Sequence, residues 1–77
     1  MDPSRETQRA ELVALWDAKV ARANRALASR QRTVADELAF MGRVSTLSGT
    51  RARQAKRVAA ATETLRAAAL AEFDAAV

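Results

Sequence analysis

Apolar residues recur along the first half of the chain at Val13, Trp16, Val20, Ala23, Leu27, Val34, Leu38 and Met41, at spacings of three, four and seven. That spacing keeps them on one stripe of an α-helix, and the stripe runs for about eight turns. A second stripe follows at Ala55, Val58, Thr62, Leu65, Ala69, Phe73 and Ala76. Between the two lies the densest cluster of Gly, Ser and Thr, from Arg43 to Thr50; of the only two glycines, Gly42 immediately precedes it and Gly49 lies within it. Glycine reaches the left-handed conformation that ends helices, and Ser or Thr caps the next N-terminus. The pattern predicts an all-α fold: an antiparallel two-helix hairpin with a long first helix and a shorter, Ala-rich second one.

The turn is expected near Ser48-Gly49-Thr50, with Gly42 as the competing stop. Helix 1 then covers about 3–47 and helix 2 about 50–76, in a single module spanning 1–77. Asp2 before Pro3 gives a start signal, since the aspartate can cap free amides and proline at the first helical position loses no needed donor. Rods of these lengths would reach about 65 Å and about 40 Å. Folding back at Gly49 pairs Leu38 with Val58, Val34 with Thr62 and Val20 with Ala76, and leaves everything before Asp17 overhanging. Gln31 and Thr62, both on apolar stripes, would then lie about one layer apart.

Composition sharpens the picture. Hydrophobic residues make up 49% of the 77, but twenty of them are alanine, which leaves eighteen large apolar side chains. So small a core usually needs a disulfide, a metal, a partner or self-association. Cys 0 and His 0 remove disulfides and the ordinary zinc and haem ligands, so no cofactor or metal is expected. Dimerisation or docking into a larger assembly is what remains to complete the fold. Alanine around most of the second helix also favours close antiparallel packing.

The same omissions argue against an enzyme. No histidine or cysteine is present for acid-base or nucleophilic work, and no glycine-rich loop for phosphates. Asp36 and Glu37 are adjacent, so on a helix they point about 100° apart and do not form a paired site. No catalytic residue is assigned.

Three groups of residues are candidates for binding. Leu12, Val13, Leu15 and Trp16 form the most apolar tetrad and include the only tryptophan, a residue enriched at interface hot spots. Phe40, Val44 and Leu47 cluster on a second side of the first helix and need cover, from a partner, a second copy or a tightly folded turn. The basic residues fall in two acid-free blocks, one containing Arg22, Arg25 and Arg32, the other Arg51, Arg53, Lys56 and Arg57. Cations at a helix N-terminus oppose its dipole, so the second block invites an anionic partner unless these residues form salt bridges with Glu63, Glu72 and Asp74.

The favoured expectation is a non-enzymatic interaction or assembly module, such as a small adaptor, chaperone or structural subunit, with a protein partner or a second copy as its ligand. The alternative is a nucleic-acid-associated protein whose arginines hold phosphates. The net charge of +4 and the absence of base-reading groups beside the arginines weigh against it. A membrane-surface helix is disfavoured by a polar face of mixed sign. No transmembrane segment or secretory signal is read. No small-molecule substrate is expected. Eleven Arg to two Lys, with no Ile, points to a GC-rich bacterial or phage genome and a cytoplasmic protein, or one within a phage or secretion assembly.

Overall fold

The computed structural model describes residues 3–76, so the expected Asp2 cap lies outside the described residues. Two helices pack against each other as an antiparallel hairpin, α1 over Pro3–Met41 and α2 over Thr46–Ala75, with no strand among the described residues. The molecule measures 58 × 16 × 11 Å. Its long dimension is the length of α1, since 39 helical residues rise about 58 Å. Neither helix is long and apolar enough to cross a membrane.

The turn lies at Gly42 to Ser45 rather than at Ser48-Gly49-Thr50. Gly42 takes φ 72°, the left-handed conformation that only glycine adopts without strain, and its amide donates to the Leu38 carbonyl at 3.1 Å, closing the helix end. Three residues later Ser45, with φ −66° and ψ 151°, caps α2 by accepting from the Ser48 amide at 3.2 Å. Gly49 therefore sits inside the first turns of α2, its amide bonded to the Ser45 carbonyl at 3.0 Å. Gly42 prevails because a good cap stands at the right distance behind it. After Gly49, by contrast, only Thr50 could begin a helix, immediately ahead of four cations in seven residues.

Moving the turn lengthens α2 and changes the register. Arg9 pairs with Asp74 through two hydrogen bonds of 2.8 and 3.1 Å, and Asp17 pairs with Arg66 at 2.8 Å. Arg5 stacks on the Phe73 ring, 4.4 Å from its centroid, and donates to the Phe73 carbonyl. α2 thus reaches back along nearly all of α1. The overhang predicted before Asp17 does not exist, and the Trp16 region has α2 alongside it. Thr62 lies by Ala23 and Ala26, about three turns from its expected neighbour Val34. Gln31 is exposed and the Thr62 hydroxyl donates to its own helix, to the Val58 carbonyl at 2.7 Å, so the two form no polar pair.

The face of α2 turned towards α1 carries Ser48, Ala52, Ala55, Ala59, Thr62, Arg66, Ala69 and Phe73, alternating four and three residues apart. The run from Ser48 to Ala59 is of small side chains, which let two helices approach closely. The facing stripe on α1 holds Val13, Trp16, Val20, Ala23, Leu27 and Val34, all half-buried. Only Ala59 is buried among the described residues. The sequence placed Val58 and Leu65 in this seam. Rotation towards the alanine column leaves both 55% exposed.

Candidate interaction groove

Glu37 links the two helices at the turn. α2 has no acid in its first turn, and its N-cap is followed at the third helical position by Ser48 instead of the Glu or Gln that would reach back to the cap amide. Glu37 supplies that arm from α1, its Oε1 accepting from the Ser45 amide at 3.3 Å. Hydrogen bonding by the Ser48 hydroxyl holds the Glu37 carboxyl below the usual carboxylate range. Partial desolvation opposes this, and the Ser45 hydroxyl and amide assist. The negative charge also faces the positive end of the α2 dipole.

Along one side of the hairpin runs an open groove of about 470 Å³, walled by Trp16, Lys19, Arg22, Ala23 and Ala26 of α1 and by Val58, Thr62 and Leu65 of α2. The Lys19 ammonium lies over the Trp16 ring, 4.9 Å from its centroid. The groove arises because the alanine-lined seam leaves Val58 and Leu65 standing beside it, with the half-buried Trp16 closing one end. Helical phase puts further apolar groups on this side. Phe40 lies two heptads beyond Ala26, and Leu47 lies eleven residues, about three turns, before Val58.

Of the first predicted group, Leu12, Val13 and Trp16 are half-buried and Leu15 is 53% exposed, pointing away from the seam. Trp16 alone of the four lines the groove. In the second group the turn does not fold over the cluster: Phe40 is 86% exposed and Leu47 is 58% exposed. Val44 is half-buried and shares a shallow hollow of about 270 Å³ with Met41 and Arg43.

In the basic group Arg22, Arg25, Arg32, Arg51, Arg53, Lys56 and Arg57 are all exposed, and none forms an ion pair among the described residues. Arg53 donates only to the Thr50 hydroxyl, at 3.3 Å. Among the described residues no salt bridge joins these blocks to Glu63, Glu72 or Asp74, and Asp74 is held by Arg9. The ion pairs that do form use Arg9 and Arg66, which lie outside both blocks.

Sequence reasoning missed Lys19, Ala26, Val58 and Leu65 as lining residues. On α1 the available signal was the sevenfold spacing of Lys19 and Ala26 just off the main stripe, whereas Val58 and Leu65 lie on the second stripe and were read as seam residues. No protein-family model matches this chain, and neither the curated proteins nor the solved structures include one similar to it.

Proposed function

We propose that the chain is a non-enzymatic interaction or assembly module that uses the side of the hairpin holding Trp16, Val58, Leu65, Phe40 and Leu47. One observation carries this reading: the hairpin exposes far more surface than a self-sufficient protein of its mass. A compact monomer of 8.3 kDa exposes about 4,600 Å² by the usual scaling, whereas this chain exposes 5852 Å². The excess, about 1,300 Å², exceeds the roughly 800 Å² that each partner buries in a standard interface. The radius of gyration, 17.6 Å against about 11.5 Å for a compact chain of this length, expresses the same shape. Among the described residues, seven large apolar side chains are more than half exposed.

Association through this face predicts that Trp16→Ala weakens assembly by about 2 kcal/mol or more, as truncation of a hot spot does. Leu65→Ser provides a check free of the seam, since Leu65 stands outside it. Sedimentation and light scattering of the wild type and both variants, with circular dichroism to confirm folding, decide the matter. Unchanged mass and partner affinity in both variants would remove the proposal.

The seven cations that form no ion pair among the described residues support a second reading, a nucleic-acid-associated protein that holds phosphates along Arg22, Arg25 and Arg32 and at the start of α2. Binding of that kind falls steeply with added salt. No retardation of DNA or RNA at low ionic strength would dismiss it. A place inside a multi-protein assembly accords with the interaction reading, and the cytoplasm with either.

A further inference from the structure

From the charge on its walls we infer that the Trp16 groove receives one amphipathic helix of another protein, with acidic residues flanking that helix's apolar stripe. The inference rests on the interaction-module reading and adds the kind of partner. The groove lies between two packed helices and parallel to them, and its α1 wall runs from Trp16 to Ala26, about 15 Å or three helical turns. A third helix fits such a groove side by side, its side chains entering between the ridges of the other two. The floor is apolar: Ala23 and Ala26, flanked by Trp16, Val58 and Leu65. The charges are of one sign, because Lys19 and Arg22 line it and no acid does.

The same row of α2 continues one heptad before Val58 to Arg51, a third exposed cation, and one heptad past Leu65 to Glu72, beyond the lining residues. None of Lys19, Arg22 and Arg51 has an acidic partner within the chain among the described residues. An incoming Glu or Asp on the α1 flank meets two cations that no internal salt bridge occupies among the described residues, and one extending past Val58 meets Arg51.

A second copy of the chain fits this groove poorly. A twofold interface places the same patch against itself. Lys19 and Arg22 stand near the middle of the groove, so symmetry would bring each pair of cations against its equivalent at the point of closest contact. Like charges across an interface disfavour the pairing.

Trp16 is the only tryptophan, so its emission reads the groove directly. The full chain is titrated with two synthetic helical peptides of about four turns. Both carry the same stripe of leucines, flanked by Glu in one and by Lys in the other. The Glu-flanked peptide is expected to shift Trp16 emission to the blue and to bind at least about tenfold more tightly than the Lys-flanked one, with an advantage that shrinks as salt is added. The double variant Lys19→Glu/Arg22→Glu should reverse the preference, and circular dichroism confirms that these exposed changes leave the hairpin folded. Equal affinity for the two peptides, or no response to the Glu-flanked one, overturns the inference. If that failure comes with a dimer whose Trp16 emission is already blue and reddens on dilution, the interaction module stands and only the partner assignment falls. A dilution-independent monomer that binds neither peptide removes both.

Discussion

Gly42 and Gly49 are seven residues apart and chemically identical, yet the backbone gives them opposite roles. Gly42 needs its positive φ and has no heavy atom within 4 Å of where a Cβ would stand, so Gly42→Ala costs conformational strain alone, about 1 to 2 kcal/mol. Gly49 is helical, and an added Cβ would meet Arg53 Nη1 at an ordinary 3.5 Å. Gly49→Ala should therefore stabilise by about 0.4 to 1 kcal/mol. Thermal melts of the two variants should move in opposite directions; a drop for Gly49→Ala would contradict the assignment of the turn. Glu37 gives a second prediction at this scale. Its folded pKa is lowered, so the stability it contributes is complete above the ordinary carboxylate pKa of about 4.3 and is lost as pH falls through the folded value. Asp74, lowered by its hydrogen bond from Arg9 against some desolvation, with the charges of Arg9 and Arg5 assisting, acts in the same direction. Melting temperature should hold from neutral pH to about 5 and decline in acid below that. Glu37→Gln should flatten part of the decline, and an acid limb identical to that of the wild type would refute the role of Glu37 at the cap.

At the scale of the helices, side-chain size decides which face of α2 meets α1. The hydrophobic stripe read along the sequence centres on Val58 and Leu65, whereas the contact face centres on Ala52, Ala55 and Ala59, a rotation of a fraction of a turn. Hydrophobicity identifies the side of the helix, but close approach selects the column without bulk. Ala59→Leu should therefore destabilise the hairpin by about 1 to 3 kcal/mol, as overpacking of a tight seam does. Ala60→Leu, on an exposed position beside it, should be close to neutral. Chemical denaturation of the two variants measures the difference, and equal stability would show that the seam has room to spare. The ion pairs Arg9 with Asp74 and Asp17 with Arg66 remain open to solvent, so they fix register more than they stabilise.

For the whole molecule, the pattern of residues was sufficient to specify two antiparallel helices and a core too small to cover itself, and it narrowed the turn to two glycines while favouring Gly49 over the Gly42 that makes it. Each follows from local chemistry: periodicity, the conformational freedom of glycine, and the shortage of large apolar side chains. The basic blocks and the exposed Phe40 were legible for the same reason, since charge and hydropathy belong to residues wherever they are placed. The register was not legible. It depends on which of two glycines breaks the helix, and that choice rests on Ser45 capping α2 while Glu37, eight residues earlier, accepts the cap amide across the turn. A shift of the turn by a few residues slides the helices past one another by about three turns. It takes Trp16 from an expected free end to the wall of a groove opposite Val58 and Leu65. A groove exists only between elements. Only the packed pair could show it, because its walls come from residues some forty positions apart that no local pattern connects.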